Sequence, residues 1–256
     1  MAAPTAGRIG PVGWLRIVFR SLGGFALLLT CLLLYPLGAA WPGRRNPVPR
    51  MFLSGMLRVV GGRLTVVGEC ITAPSILLAN HVSWLDILAL ARASGTAFVA
   101  HDGLAGHPVA RFLCHLNRTV FIARHDRGTI PTQIAQVQAG LCESGVLTLF
   151  PEGTTGDGLH LMPFKSSLLA AIELSEENIA IRPVWVDYGP QAAKIAWFGE
   201  ESGLANAKRI LAQANPVTIT VHLLPPIAAA QRQNRKTIAA AALGAIAKRS
   251  DQRVAL

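Results

Sequence analysis

The chain has 256 residues, of which 51% are hydrophobic and 15% are charged, and its formal net charge is +10. Soluble domains carry about 25% charged residues, so this composition excludes an intrinsically disordered chain and indicates contact with lipid. Four cysteines without a C-x-x-C spacing exclude the usual zinc-binding frameworks and predict no disulfide pattern. Such cysteines are typical of a domain that faces a reducing compartment such as the cytosol.

The positive charge is concentrated near the two ends of the chain. Eight arginines and no acidic residue precede Glu69, and the tail from Ile227 carries six basic residues and one acidic residue. A nucleic-acid-binding protein groups lysine and arginine with aromatic residues on its folded domain, whereas here the arginines flank an apolar segment. Anionic lipid attracts arginines in such positions. The charge pattern therefore favours a membrane surface over nucleic acid as the partner.

The first predicted element is an uncharged stretch over 22–41. A helix of that length is about 30 Å long, which matches the hydrocarbon core of a bilayer. Arginines flank it on both sides and leave its orientation open. Pro36 and several glycines leave a kinked or re-entrant hairpin as one alternative, and the small residues at 38–40 leave a cleaved signal peptide as another. A second short helix with an apolar face is predicted over 47–60.

Short strands that alternate with helices follow Gly61 and Gly62. This alternation predicts an α/β fold with a mixed, mainly parallel sheet flanked by helices. We divide the chain into an N-terminal membrane-binding helical region (1–62), a catalytic domain (63–230) and a basic C-terminal helix or tail (231–256). The predicted strands are 64–67, 75–79, 97–100, 119–122, 146–150, 179–185, 195–198 and 217–224. The predicted helices are 84–92, 105–116, 131–142, 166–174, 204–212 and 237–249.

Several common catalytic signatures are absent from the sequence. It contains no G-x-S-x-G, no H-E-x-x-H, no G-x-x-x-x-G-K-[ST] and no G-x-G-x-x-G. The sequence therefore does not indicate a serine hydrolase of the usual kind, a zincin, a P-loop enzyme or a Rossmann dehydrogenase. The seven histidines show no metal-ligand spacing, so no metal site is predicted.

The first candidate site follows the predicted strand 75–79. His81 lies at the end of this strand, where α/β folds place their sites. Asp86 can reach the imidazole if His81 precedes the next helix and Asp86 lies in its first turn. A carboxylate bonded to one imidazole nitrogen fixes the tautomer and leaves the other nitrogen as a general base. The alternative is a capping box, Ser83-x-x-Asp86, in which Asp86 serves only the helix N-terminus.

A second candidate is the glycine-rich loop 150–158, which follows another apolar strand. Its glycines allow backbone amides to approach an oxyanion or a phosphate. Thr154 and Thr155 add hydroxyl groups, and Lys165 adds a cation. An ordinary polar loop is the alternative.

Two further segments carry weaker signals. Arg124 follows the predicted strand 119–122, where its guanidinium can bind a phosphate or carboxylate, or else pair with Asp126 on the surface. Pro183 interrupts the apolar strand 179–185, and a proline in that position favours an edge strand.

These segments, in this order, resemble the motifs of the glycerolipid acyltransferase family, the lysophosphatidic acid acyltransferase-like group. Asn80-His81-x4-Asp86 matches the family motif N-H-x4-D, and residues 150–154 match F-P-E-G-T. Residues 121–124 look like the second motif, which ends in arginine, and residues 181–184 look like the fourth, a strand with a proline. The resemblance covers roughly residues 64–224.

Some features point to a subgroup or depart from the family pattern. Residues 155–158 and 163–167 are similar to the subgroup that acylates lyso-ornithine lipid. Many family members carry a lysine after the strand that precedes the second motif, whereas this chain has His101 and Asp102. The contacts to the acceptor in that region are therefore expected to differ.

The resemblance implies acyl transfer from acyl-CoA or acyl carrier protein to the hydroxyl of a lysolipid, with no metal or other cofactor. His81 would remove the hydroxyl proton and Asp86 would stabilise the imidazolium, without a covalent acyl-enzyme. The expected substrate-binding residues are Arg124 and Lys165 for an acceptor phosphate, Glu152 for an arginine or an acceptor hydroxyl, the Gly153 amide for developing negative charge, and Thr154.

The leading hypothesis is a membrane-bound lysophosphatidic acid acyltransferase that makes phosphatidic acid, with its active site on the cytoplasmic face. The alternatives are a lyso-ornithine lipid acyltransferase, a thioesterase in which the same base activates water, and a non-catalytic lipid-binding protein. The presence of His81, Asp86 and Glu152 counts against the non-catalytic protein. An acceptor-binding Arg124 would be superfluous in a thioesterase.

Overall fold

Seven strands form one sheet, and helices cover both of its faces. The computed structural model describes residues 8–40, 46–71, 74–101, 108–122, 130–173 and 179–254. The strands are β1 (Gly62–Gly68), β2 (Ser75–Ala79), β3 (Ala97–His101), β4 (Val120–Ile122), β5 (Val146–Leu149), β6 (Ala180–Asp187) and β7 (Val217–Leu223). The helices in the described ranges are α1 (Pro11–Ala39), α2 (Val48–Val59), α3 (Leu85–Ser94), α4 (Pro108–Leu116), α5 (Ile130–Ser144), α6 (Ala170–Glu173), α7 (Ala192–Ile195), α8 (Gly203–Leu211) and α9 (Arg235–Val254).

The sheet is mixed and mainly parallel, as the alternating pattern predicts. Its strand order is β1-β7-β6-β2-β5-β3-β4, and all neighbours are parallel except β6 and β7. Strand β2 lies at the centre, and each of its residues is buried. Its Leu77 and Ala79 join the core under α2 and α3, whereas Ile76 and Leu78 join the core under α5 and α9. Burial on both faces explains why β2 is an almost uninterrupted apolar run.

Seven of the eight predicted strands correspond to β1–β7, and the strand predicted over 195–198 is wrong. Helix α7 ends at Ile195, and a loop follows it. Ile195 and Ala196 are fully buried in the core, so their apolar character reflects packing. The amide of Trp197 donates to the carbonyl of Val82 at 2.9 Å, which ties this loop to the segment that carries His81.

The edge-strand prediction for the segment with Pro183 is also wrong. Strand β6 lies between β2 and β7, and Pro183 is paired with Leu78 of β2. The ladder between β6 and β7 begins only at Val184, and the Pro183 carbonyl accepts a hydrogen bond from the Leu224 amide beyond it. A proline lacks an N–H donor. The sheet tolerates it here because it lies where the second ladder ends.

Helices α1 and α2 pack against each other as an antiparallel hairpin. Leu27 of α1 lies so close to Gly55 of α2 that a Cβ added at Gly55 would be 2.7 Å from the Leu27 side chain. The side-chain amide of Asn46 donates to the Tyr35 carbonyl at 3.1 Å near the turn. Helix α1 is continuous through Pro36, and the kinked or re-entrant hairpin stays a prediction. Residues 41–45, at the end of the predicted apolar segment, lie outside the described residues.

Apolar side chains on α1 face outward. Within the described ranges α1 is the one helix long and apolar enough to cross a membrane. Of its most apolar 18-residue stretch, 11% is buried. A core helix of a soluble protein would be mostly buried. Five of the outward side chains are at least 63% exposed: Leu15, Phe19, Leu22, Leu33 and Leu37.

The amino-terminal part of α1 is attached to α8. Arg20 Nη1 donates to the Leu211 carbonyl at 2.8 Å, and Arg16 Nη1 lies 3.4 Å from the Ala212 carbonyl. Free carbonyls at a helix C-terminus carry partial negative charge and favour a cation. Both arginines, which flank the apolar stretch in sequence, therefore contact the α/β domain.

Candidate active site

Three parallel strands end at one edge of the sheet, and the predicted site residues His81 and Glu152 lie there. His81 follows β2, Glu152 follows β5, and Tyr188 follows β6. Because β5, β2 and β6 are adjacent and parallel, their carboxyl ends meet at the same edge. The sheet topology thus brings together segments that are far apart in sequence.

His81 and Asp86 form a direct pair. His81 precedes α3, Asp86 lies in its first turn, and His81 Nδ1 is 2.8 Å from Asp86 Oδ2. The Asp86 side chain is fully buried, and the His81 side chain is 18% exposed. Since a carboxylate accepts hydrogen bonds, Nδ1 carries the proton and Nε2 keeps its lone pair. An imidazole held in this way can act as a general base through Nε2.

Asp86 also caps the start of α3, so the two interpretations of this residue are compatible. Its Oδ2 accepts hydrogen bonds from the amides of Val82 at 2.7 Å and Ser83 at 2.9 Å. The Ser83 hydroxyl is a weak cap because its Oγ is 3.4 Å from the Leu85 amide. The carboxylate therefore orients the helix start and the imidazole at once.

Tyr188 holds the second oxygen of Asp86, and the sequence patterns did not indicate it. Its hydroxyl donates to Asp86 Oδ1 at 2.5 Å. Burial, together with the charge of Asp86, raises the pKa of Tyr188 well above its usual value, so the phenol stays a neutral donor. The available signal was a tyrosine directly after the buried strand β6. Asp86 is thus bound by donors on both oxygens.

An aromatic ring supports the imidazole from the side. The ring of Phe150 stacks on His81 with a centroid separation of 3.9 Å and an interplanar angle of 16°. Phe98 lies next to Phe150, with a centroid separation of 6.2 Å. The aromatic residue of the F-P-E-G-T segment therefore limits the orientations that the His81 imidazole can adopt.

Asn80 joins two strands behind His81. Its side-chain amide donates to the Val186 carbonyl at 3.1 Å, and its Oδ1 accepts from the Val186 amide at 2.7 Å. These two bonds continue the β2–β6 ladder by means of a side chain. Asn80 thereby fixes the backbone just before His81, a role that sequence reasoning did not assign.

Glu152 connects the glycine-rich loop to the His81 segment. Its Oε2 accepts from the His81 amide at 2.9 Å, and its Oε1 accepts from the Met162 amide at 3.3 Å. In the described part of the chain it binds backbone amides, whereas an arginine was one of its expected partners. Burial raises the pKa of Glu152 to about 7, assisted by the charges of Asp86 and Asp157, although both amides oppose this shift.

Glu152→Gln is expected to reduce the pH dependence of stability between pH 4.5 and about 7. The folded-state pKa lies above the unfolded value, so Glu152 binds the additional proton in the folded protein in this range, and its contribution to stability falls as the pH rises. Across this range, the contribution of Glu152 to the free energy of unfolding falls by on the order of 3 kcal/mol. Glutamine does not titrate. Unfolding in detergent near both ends of this range measures the effect, and equal slopes for the two proteins would contradict it.

The remaining predicted binding residues have less defined surroundings. The Gly153 amide donates to the Phe150 carbonyl at 3.1 Å, so it is engaged in a turn, and this geometry does not favour its expected role at developing negative charge. Thr154 and Lys165 are exposed, and Lys165 Nζ lies beside Gly153, 3.3 Å from where a Cβ would be. Arg124 lies outside the described residues.

A cavity of about 70 Å³ opens beside His81. Two carboxylates, Glu152 and Asp187, are among its walls, and the described wall residues include no lysine or arginine. Trp185 and Ser250 complete another part of the wall. No group of three or more histidine, cysteine or acidic residues in the described ranges could hold a metal ion. The His81 imidazole borders this cavity, which a small polar group can enter.

Residues 63–187 match the family model described as Acyltransferase. A lyso-ornithine lipid O-acyltransferase of Rhodobacter capsulatus is 30% identical over 201 residues, which cover 76% of this chain and 72% of that protein. The chain belongs to the acyltransferase family. The family predicted from the motifs is therefore confirmed, and the matched region of this acyltransferase contains His81, Asp86 and Glu152.

Two further comparisons bear on the acyltransferase. A 1-acyl-sn-glycerol-3-phosphate acyltransferase of Neisseria gonorrhoeae is 30% identical over 162 residues, 62% of this chain and 63% of that protein. The crystal structure of a 1-acyl-sn-glycerophosphate acyltransferase, PlsC, of Thermotoga maritima has a TM-score of 0.56 and 16% identity, covering 90% of this chain and 98% of that chain. The likeness to this crystal structure confirms the fold.

Proposed function

We propose that this acyltransferase transfers an acyl chain from a thioester donor to the free hydroxyl of a lysolipid, with His81 as the general base. The observation that carries the proposal is the network of His81, Asp86 and Tyr188 beside the cavity. A buried carboxylate holds Nδ1 of an imidazole whose ring is partly exposed. This arrangement is suited to removing a proton from a bound hydroxyl.

The reaction follows from this geometry. Nε2 of His81 takes the hydroxyl proton while the acceptor oxygen attacks the thioester carbonyl. The tetrahedral intermediate then collapses, its carbon–sulfur bond breaks, and the leaving thiolate recovers the proton from the imidazolium. Asp86 stabilises that imidazolium, and Tyr188 keeps the carboxylate in place. The protein itself forms no covalent bond, so no nucleophile elbow is required.

We propose lyso-ornithine lipid as the acceptor. The relative of that name covers more of this chain than the Neisseria protein, 76% against 62%. A lyso-ornithine headgroup carries an ammonium and a carboxylate, and the carboxylates of Glu152 and Asp187 in the cavity wall suit an ammonium. A phosphate monoester, in contrast, is bound by arginine or lysine, and the described wall residues include neither.

Lysophosphatidic acid is the second candidate acceptor. The Neisseria relative bears the corresponding name. Lys165 near Gly153 supplies one cation for a phosphate, and Arg124 stays a predicted second one. In both cases the proposed donor is acyl-CoA or acylated acyl carrier protein, and no further cofactor takes part.

Attachment to the membrane through α1 completes the proposal. The outward apolar side chains of α1 and the unopposed arginines before Glu69 support a helix in contact with anionic lipid. The attachment of Arg16 and Arg20 to α8 connects this helix to the catalytic domain. We place the active site on the cytoplasmic face, where acyl donors are made.

An acceptor assay with the full chain in mixed micelles tests the proposed function. Purified protein receives an acyl donor labelled in its acyl chain, as acyl-CoA or acyl carrier protein, and either lyso-ornithine lipid or lysophosphatidic acid. We expect label in ornithine lipid with the higher kcat/KM, and no transfer by His81→Ala. Label in phosphatidic acid alone would favour the second candidate, and release of labelled fatty acid alone would favour a thioesterase.

A further inference from the structure

Helix α9 runs from the core of the α/β domain to the cavity beside His81. Its buried residues Ile238, Ala242 and Ile246 pack in the core with Trp185 of β6. One turn after Ile246, Ser250 lines the cavity. The segment predicted as a basic C-terminal helix or tail therefore contributes to the core and to the wall of the candidate site.

The apolar pattern of α9 stops where the helix reaches the cavity. Arg249 follows Ile246 by three positions and Ala242 by seven, so it lies on the same face of the helix. A charge on a core-facing position is costly unless it meets a polar partner or a polar space. Arg249 and Ser250 occupy positions at which the core face would continue. Ser250 lines the cavity, and the half-buried Arg249 lies over Trp185, which lines the same cavity.

Arg249 is held against a wall residue of the cavity. Its guanidinium carbon lies over the ring of Trp185, 6.0 Å from the centroid. Trp185 is 5% exposed and stacks on His222 with a centroid separation of 4.7 Å, so its ring is a fixed platform. A guanidinium that lies on an aromatic face can still direct its N–H groups toward an anion. Among the described residues, Arg249 forms no ion pair.

We propose that Arg249 binds the anionic group of the acceptor headgroup, so that α9 completes the acceptor site. This inference rests on the proposed function. The anion is a carboxylate in lyso-ornithine lipid and a phosphate in lysophosphatidic acid, and a guanidinium binds both with two parallel hydrogen bonds. We assign the bound group to the acceptor because Trp185, over which Arg249 lies, lines the same cavity as His81, which takes the proton of the acceptor hydroxyl.

Arg249→Gln, Arg249→Lys and the matched control Lys248→Gln test this role in the full chain. Lys248 is the exposed neighbour of Arg249 on α9, and its substitution removes the same charge. Loss of a charge-assisted hydrogen bond raises a dissociation constant roughly 10- to 100-fold. We expect Arg249→Gln to raise the acceptor KM by that order with little change in kcat or donor KM. Arg249→Lys should recover part of the affinity, and Lys248→Gln should resemble the wild type.

Steady-state kinetics with each substrate varied in turn, together with the melting temperature, separates the outcomes. A raised donor KM with an unchanged acceptor KM would overturn the proposal, because the anion would then belong to the donor. Equal kinetics for Arg249→Gln and Lys248→Gln would also overturn it. A lower melting temperature with unchanged KM would make Arg249 a structural clamp of α9. If the wild type acylates no lysolipid, the proposed function itself fails.

Discussion

His81→Ala is expected to lower kcat by about 10²- to 10⁴-fold, because a positioned general base contributes a factor of that size. The substitution removes the imidazole but keeps the backbone amide that donates to Glu152. It also keeps the three donors of Val82, Ser83 and Tyr188 to Asp86. The folded structure should therefore persist, and kcat with saturating donor and acceptor measures the effect.

A second histidine–aspartate pair provides a comparison for this variant. His160 Nδ1 lies 2.9 Å from Asp157 Oδ2, nearly the same separation as in the first pair, but the His160 side chain is 75% exposed. His160→Ala is expected to lower kcat far less than His81→Ala, because its imidazole is neither buried nor stacked on an aromatic ring in the described structure. Near-wild-type kcat in folded His81→Ala would rule out the mechanism.

Asp86→Asn should lower kcat by at least about 10²-fold with little loss of stability. Asparagine keeps the shape of the side chain: its oxygen can accept from Val82 and Ser83, and its amide can donate to the Tyr188 hydroxyl. Its oxygen can also still accept from Nδ1 of His81. What the variant loses is the negative charge that stabilises the imidazolium. The variant therefore separates the capping role of Asp86 from its effect on His81.

Turnover and thermal unfolding of Asp86→Asn are measured together. A folded variant with near-normal kcat would leave Asp86 as a helix cap alone. A variant with a greatly reduced melting temperature would show that the charge itself stabilises the start of α3. In that case Tyr188→Phe separates the effect of the Asp86 charge on stability from its effect on turnover. It removes the donor to Oδ1 but retains the charge, so it should lower kcat less than Asp86→Asn.

Local sequence patterns predicted the seven strands of the sheet and allowed a contact between His81 and Asp86, which the family resemblance then favoured over a capping box. Both depend on local patterns. A strand buried on both faces, such as β2, needs a continuous apolar run, and a short turn between a strand and a helix brings residues five positions apart into contact. The strand predicted over 195–198 was wrong because a buried loop needs apolar residues as much as a strand does.

Which distant side chains contact this pair depends on the tertiary structure. Tyr188 is 102 positions from Asp86, and Asn80 is 106 positions from Val186, and they meet because β6 lies beside β2. The same strand order makes the segment with Pro183 an internal strand. The end of α9 likewise reaches the cavity because α9 packs along β6. Residue periodicity within a strand or helix records which face is buried but not which element covers it, so these contacts depend on the order of the strands in the folded sheet.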